Sequence, residues 1–313
     1  MLLIYPPATR STEAPLGIAR LAGFLRSRSR EAYLLDLNQE GLDYLLGLEL
    51  EAGPEDAWTR LALGRRQREL ELLRSPRAVG NFGAYSKAVR DLGRSLRAAG
   101  LAAPRPAEPG LADYRDPALS PLRRADLLEA ARDFASSVYF PLFRNRLEAV
   151  LPELQEPLVG LSLTFLSQAL PAFALLGYLR ARWPGLRLVL GGGLVTSWMS
   201  QASLGPQENF GGLVDALLPG RGEEGLAQWL GLEPEPGFVP PSFDGLPMKS
   251  YLSPGRILPW NFSSGCPWKR CTFCPELAED GAYRACPRPQ ALEELDQAIA
   301  RVDPVLLHFT DSE

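Results

Sequence analysis

The stretch MLLIYPPATRSTEAPLGIARLAGFLRSRSREAYLLDLN, residues 1–38, decides the fold class of this chain. Its apolar run LLIY at 2–5 is stopped by two prolines, and residues 16–27 place apolar side chains at helical spacing. The run AYLLDLN at 32–38 predicts a second buried strand. A strand, a helix and a strand in this order predict a βαβ unit with a parallel sheet.

Between about residues 40 and 150 this alternation of strands and helices stops. Residues 58–73, 85–100 and 123–143 are amphipathic and predict helices, and a proline-rich loop lies at 103–110. No stretch there has a convincing strand pattern. We therefore expect a helical insertion whose Arg-rich faces lie in solvent.

The alternation resumes at PLVGLSLTF, residues 157–165. A helix over 168–183, a strand over 186–193 that runs into three glycines, and a strand, turn and helix over 212–231 follow. The pattern predicts an α/β fold for residues 1–231: a Rossmann-like, flavodoxin-like sheet of five parallel strands, interrupted after the second strand by the insertion.

Residues 232–256 are dense in Pro and Gly and predict a linker. A strand at RILPWNF, a helix near 289–302 and a strand at 305–310 come after it. For residues 257–313 we expect the first βα units of a partial TIM-type barrel. Because a full barrel takes about 250 residues, we expect a truncated start of that domain, poorly ordered or packed on residues 1–231.

Composition and charge limit the classes of function that the chain can have. The 313 residues are 46% hydrophobic and 22% charged, as in ordinary soluble proteins, and the net charge is −4. That charge gives no sign of a nucleic-acid partner, the N-terminus lacks a basic signal-peptide region, and the longest nearly apolar run, 169–179, is too short to span a bilayer. We expect a cytoplasmic protein that binds neither nucleic acid nor membrane. In such a reducing compartment, clustered cysteines indicate metal ligands or catalytic groups before disulfides.

Three of the four cysteines lie in SSGCPWKRCTFCPE, residues 263–276, at the spacing C-x4-C-x2-C. Cys266, Cys271 and Cys274 suit a [4Fe–4S] cluster with one open iron, or a structural zinc with Cys286 as fourth ligand, or a core without metal. A loop rich in Gly and Pro with two cations is poor core material, and structural zinc usually takes two separate knuckles. The loop also follows the carboxyl end of a strand, where α/β barrels carry their active sites. These observations favour the cluster and leave the other two alternatives open.

The same stretch resembles the cluster loop of radical S-adenosylmethionine (SAM) enzymes, in the longer form found among their cobalamin-binding members. It has one residue more than the usual C-x3-C-x2-C motif, and Phe273, the aromatic residue before the third cysteine, also fits. The resemblance implies that Cys266, Cys271 and Cys274 hold a [4Fe–4S] cluster and that SAM chelates its open iron. Electron transfer from a flavodoxin- or ferredoxin-type donor would cleave SAM to a 5′-deoxyadenosyl radical. By position, Glu313 or the TDSE segment would help to hold SAM.

The order of the N-terminal segments resembles that of the cobalamin-binding domain that precedes the barrel in this subgroup. Independently, ligands of a doubly wound parallel sheet bind beyond the carboxyl ends of its strands, where small residues let a bulky cofactor approach the backbone. The alternative is a set of ordinary tight turns. The strand-end residues expected to bind cofactor are Ser162, Thr164, Gly191, Gly192, Gly193, Gly220, Gly222 and Glu223. The single histidine, His308, lies outside this segment, so no histidine of the domain would ligate cobalt from below.

The resemblance thus implies a cobalamin-dependent radical SAM enzyme, first of all one that methylates an unactivated carbon of a small-molecule or peptide substrate. Other radical outcomes, such as ring rearrangement or cyclisation, stay open, as does the role of Cys286. Two alternatives of other classes remain. One is a non-catalytic cobalamin-binding or scaffold protein with a remnant cluster loop, and the other is a zinc-stabilised α/β binding module.

Overall fold

The computed structural model describes residues 1–50, 56–200, 210–233, 237–272, 274 and 283–311. In chain order its strands and α-helices are β1 (Leu2–Tyr5), α1 (Leu16–Ser27), β2 (Tyr33–Asp36), α2 (Leu37–Gly47), α3 (Ala57–Leu73), α4 (Phe82–Leu101), β3 (Glu108–Pro109), β4 (Tyr114–Arg115), α5 (Arg124–Arg132), α6 (Phe140–Val150), β5 (Leu158–Ser162), α7 (Ala169–Arg182), β6 (Arg187–Gly191), α8 (Gly193–Ser200), β7 (Ala216–Leu218), α9 (Gly222–Leu230), β8 (Ile257–Trp260), β9 (Ser263–Ser264), β10 (Arg284–Ala285), α10 (Arg288–Val302) and β11 (Leu306–Phe309).

A five-stranded parallel sheet organises the described part of the chain. Its strand order is β2-β1-β5-β6-β7, and every neighbouring pair runs parallel. The strand β1 is paired on both edges, with Leu2 opposite Tyr33 of β2 and opposite Val159 of β5. The prediction of an α/β fold with five parallel strands is confirmed.

The insertion between β2 and β5 is helical, as predicted, but three details differ. The stretch 123–143 forms two helices rather than one, and Pro141 lies in the first turn of α6, where proline is tolerated. The strands β3 and β4 form a two-residue antiparallel ladder where the sequence predicts no strand. After the insertion, the glycine run that follows β6 belongs partly to a helix, because Gly193 begins α8.

Alternate side chains of β1 point into two separate cores. Leu2 and Ile4 pack with α7 and the insertion, whereas Leu3 and Tyr5 pack with α1 and α9 on the other face of the sheet. This is the two-residue period of a strand that is covered on both faces. It explains why the strands of the sheet are continuous apolar runs.

Helix α7 has no amphipathic stripe because neighbours surround it. Every residue from Ala169 to Leu179 is buried. The closest approach is at Gly177, where a Cβ would lie 1.9 Å from the carbonyl oxygen of Ala131 in α5. The insertion is therefore part of the core rather than an appendage.

In the described part of the chain, neither α7 nor any other helix is long and apolar enough to cross a membrane.

The chain after the linker packs on the α1 side of the sheet. The strands β8 and β11 pair in parallel, with Leu258 opposite Leu307, and α10 lies between them in sequence. Trp260 has no exposed surface and shares a core with Ile18 and Phe24 of α1. Trp260 thus anchors the start of the C-terminal segment against α1.

The Pro- and Gly-rich linker is seated on α1. The backbone N–H of Ser242 donates to the carbonyl oxygen of Ala19 at 2.9 Å. Gly23 lies directly beneath the linker, since a Cβ there would be 2.1 Å from the carbonyl oxygen of Pro240. Phe243 and Tyr251 of the linker are buried. These contacts fix the path by which the chain reaches β8.

Replacing Gly23 by Ala tests the seating of the linker. The added methyl group meets the backbone of Pro240, so we expect the free energy of unfolding, measured by urea denaturation, to fall by about 1–3 kcal/mol. The matched control is Gly93→Ala in α4, where a Cβ meets nothing within 4 Å. Helix propensity should raise the stability of that variant by up to about 1 kcal/mol. Equal stability of the two variants would contradict the contact.

Candidate functional site

The carboxyl ends of β1, β5, β6 and β7 meet at one edge of the sheet, because these strands are parallel. Ser162 ends β5 directly opposite Gly191, the last residue of β6. Thr164 and Gly193 are exposed just beyond them, whereas Ser162 is buried. The structure therefore brings together the predicted residues of these two strands, in a region that we call the sheet edge.

Gly192 has a structural reason to be glycine. Its φ is +105°, and a Cβ there would lie 2.4 Å from the carbonyl oxygen of Leu163. The two loops are joined at this point, because the N–H of Leu163 donates to the carbonyl oxygen of Gly191 at 2.7 Å and the N–H of Leu194 donates to that of Leu163 at 3.1 Å. Gly192 thus serves the packing of the sheet edge whether or not a ligand binds.

The loop after β7 reaches the same edge. The N–H of Gly220 donates to Oγ1 of Thr196 at 2.9 Å, which fastens this loop to α8. A Cβ on Gly220 would meet nothing within 4 Å, and one on Gly193 would meet only the carbonyl oxygen of Thr164, at 4.0 Å. These two glycines mark the part of the sheet edge where a bulky ligand has open access to the backbone.

Below the sheet edge there is little room. Ser162, Gly191, Gly192 and Gly222 contribute to the lining of a cavity between the sheet and α1 whose volume is about 40 Å³. That volume holds a few water molecules at most. A bulky cofactor bound here would have to lie above the edge, because the cavity that these described residues line is too small to hold part of it.

Gln168 organises the sheet edge, although the sequence singled out no role for it. Its side chain is completely buried. Its Oε1 accepts hydrogen bonds from the N–H groups of Thr164 and Phe165, and its Nε2 donates to the carbonyl oxygen of Pro6 at 2.7 Å. One amide thus ties the loop after β5 to the loop after β1. A lone polar residue at the start of an apolar helix is the only sequence signal for it.

Asp36 is a second residue that sequence analysis missed, because it was assigned to a strand that runs to residue 38. It ends β2 and caps α2, accepting hydrogen bonds from the N–H groups of Asn38 and Gln39. Its other oxygen accepts from the hydroxyl group of Tyr251 in the linker at 2.8 Å. Burial raises the pKa of Asp36 to about 6, and these hydrogen bonds oppose that rise.

Glu223 lies at the start of α9 but faces away from the sheet edge, toward the C-terminal segment. It accepts a hydrogen bond from Nε of Arg20 at 2.6 Å. Arg20 also donates to Oδ1 of Asn261 at 2.9 Å and lies 5.3 Å from the ring centre of Phe238. This ion pair joins α1, α9, the linker and the loop after β8. The predicted role of Glu223 in binding a cofactor stays a prediction, and its position is that of a bridge.

The cysteine loop, which carries Cys266, Cys271 and Cys274, follows β9. The three thiols are half-buried and form no disulfide. The N–H of Cys274 donates to the carbonyl oxygen of Cys271 at 3.0 Å. Among the described residues, no three His, Cys, Asp or Glu side chains are close enough together to share a metal ion. The donor set still suits an iron–sulfur cluster or zinc, because it consists of three free soft ligands on one loop.

The base of the cysteine loop is held firmly. The carboxylate of Asp311 accepts hydrogen bonds from the N–H of Phe262, at 2.9 Å, and from the hydroxyl group of Ser263. The N–H of Cys286 donates to the carbonyl oxygen of Phe262 at 2.6 Å, beside the β9–β10 ladder. Asp311 belongs to the TDSE segment that the sequence associates with SAM, and here it positions the loop. Phe273 and Glu313 lie outside the described residues.

A cavity of about 370 Å³ lies between α9 and the base of the cysteine loop. Three guanidinium groups contribute to its walls, those of Arg20, Arg221 and Arg284, together with the thiol of Cys286. Burial, followed by the nearby carboxylate of Glu294, raises the pKa of the Cys286 thiol. The raised pKa makes the Cys286 thiol harder to deprotonate, and the thiolate is the form that binds a metal.

His308 of β11 contacts the loop after β1. Its Nδ1 lies 2.8 Å and 2.9 Å from the two carboxylate oxygens of Glu13. This contact gives the only histidine of the chain a partner within the fold. It agrees with a structural role for His308.

No protein-family model matches the chain, and neither a curated protein nor a solved structure shows significant similarity to it. Any function inferred for it therefore depends on its residues and their geometry.

The buried carboxyl of Asp36 predicts a pH dependence of stability. Its pKa is raised from 3.8 to about 6 on folding. Its contribution to the free energy of unfolding is therefore fully present below about pH 4 and is lost as the pH rises through about 6. The loss amounts to about 3 kcal/mol. Asp36→Asn keeps an acceptor for the helix cap but does not titrate, so its stability relative to the original chain should rise over this range in urea melts.

The control for that measurement is Asp296→Asn, on the exposed side of α10. It removes one carboxylate from the surface and so controls for the change in net charge. If the free energies of unfolding of Asp36→Asn and of the unaltered chain changed with pH in the same way, Asp36 would not be a buried group that titrates in this range.

Proposed function

We propose that the chain is, or is part of, a cobalamin-dependent radical SAM enzyme that transfers a methyl group to an unactivated carbon. The observation that carries the proposal is the position of three free thiols on one clamped loop, directly after two short strands, β8 and β9, that begin the C-terminal segment. An α/β enzyme places its reactive groups at such strand ends.

The finer architecture belongs to the same proposal. Counting only the strands of the five-stranded sheet, their order is 2-1-3-4-5, which is the flavodoxin-like order of a doubly wound sheet. The strands β8 and β11 are parallel neighbours with α10 between them in sequence. We propose that they are the first strands of a partial TIM-type barrel.

The thiolates of Cys266, Cys271 and Cys274 would hold the [4Fe–4S] cluster. When bound, the cluster and SAM supply the radical that removes a hydrogen atom from the substrate, and cobalamin supplies the methyl group. The chain's own part is to place the loop, which Asp311 and the β9–β10 ladder do at its base. We propose, as from the sequence, that Phe273 lies beside the cluster and that Glu313 helps to hold SAM.

Cobalamin would lie on the sheet edge, over the backbone of Gly193 and Gly220 and beside the exposed side chain of Thr164. The openness of the two glycines supports this placement, and the small volume of the cavity beneath supports a position above the edge. Cobalt would have no histidine ligand from this chain, because His308 contacts Glu13 instead.

The substrate would occupy the cavity of about 370 Å³ at the base of the cysteine loop. It would be a small molecule or a peptide, in a cytoplasmic enzyme served by an electron donor of the flavodoxin or ferredoxin type. The scaffold protein and the zinc-stabilised module are the competing functions. The first experiment below distinguishes the zinc module, and reductive cleavage of SAM by the reconstituted chain would distinguish the enzyme from the scaffold.

The first experiment measures the metal bound to the cysteine loop. Anaerobic reconstitution of the full chain should give about four irons per chain, with broad visible absorption that is lost on reduction. Substitution of Cys266, Cys271 and Cys274 by Ala should abolish it. Cys286→Ala is the matched control and should keep the irons. Stoichiometric zinc in place of iron, or a requirement for Cys286, would favour the zinc module.

The second experiment measures cobalamin. Hydroxocobalamin should bind to the full chain, and Gly193→Phe should weaken binding at least about tenfold, because the new ring occupies the open part of the sheet edge. Gly64→Phe in α3, where a Cβ also meets nothing within 4 Å, is the matched control. The EPR spectrum of the Co(II) form should be the same when the histidine is labelled with ¹⁵N. A change on labelling, or no binding, would contradict the proposal.

A further inference from the structure

The hairpin formed by α3 and α4, residues 57–101, is strongly basic in an otherwise acidic chain. It holds ten of the 33 Lys and Arg residues but only three of the 37 Asp and Glu residues, so it carries +7 while the rest of the chain carries −11. The net charge of −4 conceals this separation. A basic helical surface of this kind is the usual electrostatic footprint of a polyanion-binding protein.

Some of these basic residues form ion pairs within the fold, and others do not. Lys87 contacts Glu69 and Asp91, and Arg97 contacts Glu108. Four other basic residues are exposed and make no ion pair or side-chain hydrogen bond with any residue that the structure describes: Arg65, Arg68, Arg77 and Arg90. These four are available to a partner.

The two helices hold these cations in ordered rows. The ion pair between Glu69 and Lys87 fixes the antiparallel register of α3 and α4. At a rise of about 1.5 Å per residue, Arg65 and Arg68 are separated by about 5 Å along α3. Arg90 lies on α4 at nearly the same height as Arg65, by the register that the ion pair sets. Cations fixed at such spacing suit a chain of closely spaced negative charges.

Two exposed aromatic rings lie on the hairpin, one at the start of each helix. Phe82 at the start of α4 is 81% exposed and Trp58 at the start of α3 is 67% exposed. Such rings are stacking platforms for unpaired bases. A membrane-binding helix presents instead one continuous apolar face, whereas the apolar face of α4, with Leu92 and Leu96, is buried in the core. The arrangement therefore favours nucleic acid over lipid.

We propose that the α3–α4 hairpin binds single-stranded nucleic acid, through phosphate contacts of Arg65, Arg68 and Arg90 and stacking on Phe82. The expectation of no nucleic-acid partner was based on the net charge, which does not describe this surface. The hairpin covers the Leu2 and Ile4 face of the sheet, opposite the face that carries β8 and Trp260. The proposal is thus independent of the metal and cobalamin sites.

The test uses fluorescence anisotropy of a labelled oligothymidylate of about 20 nucleotides with the full chain at several salt concentrations. The phosphate contacts of Arg65, Arg68 and Arg90 predict a slope of log K against log salt of about −2. The triple variant Arg65→Gln, Arg68→Gln, Arg90→Gln should weaken binding about tenfold or more and flatten the slope by about 2. Phe82→Ala should weaken binding about fivefold or more at unchanged slope.

The matched control is the triple variant Arg115→Gln, Arg144→Gln, Arg301→Gln, which changes the net charge equally at exposed positions outside the hairpin. It should leave affinity within about twofold. An equal loss in both triple variants, or no binding of the oligonucleotide, would overturn the proposal. Binding of phosphatidylserine vesicles or of poly-glutamate that the oligonucleotide does not displace would overturn it in favour of a membrane or an acidic protein.

Discussion

The pairing of β1 on both of its edges is the constraint on which the rest of the structure depends. Leu2, Leu3 and Ile4 are buried, and their backbone groups must find partners because no water reaches them. The partners are β2 on one side and β5 on the other. About 120 residues of insertion must therefore leave the sheet after β2 and return two strand positions away, across a distance of about 10 Å. Both cores, and the sheet edge itself, follow from that arrangement.

Three side chains extend this order to the loops. Gln168 connects the loops after β1 and β5, and Asp36 connects the end of β2 with the linker through Tyr251. Arg20 does the same on the other side, where it joins α1 and α9 to the loop after β8. A few long-range polar contacts thus hold the sheet edge and the cysteine loop in one body. Any activity that uses both would depend on these contacts for its geometry.

The sequence predicted the parts of this structure that local pattern determines. The strands β1 and β5 were readable because both of their faces are buried, and α4 because its apolar stripe is regular. The division of residues 123–143 into two helices, and the start of α8 at Gly193, depend on contacts made across the fold and have no local signature. The cysteine spacing likewise predicts a set of ligands. It carried no information on Arg20, which lies 203 residues from Glu223, or on how the three thiols are arranged in space.

The pairing between β1 and β5 also imposes a delay during synthesis of the chain. Leu2 meets Val159, 157 positions later in the chain. A ribosome that adds about 5–20 residues per second needs roughly 10–30 seconds to supply that partner once Leu2 has been made. During this interval an apolar strand has an unpaired edge, which is the form in which strands associate with other chains. The chain is thus exposed to association through the unpaired edge of β1 while it is still on the ribosome. The length of the helical insertion determines how long this exposure lasts.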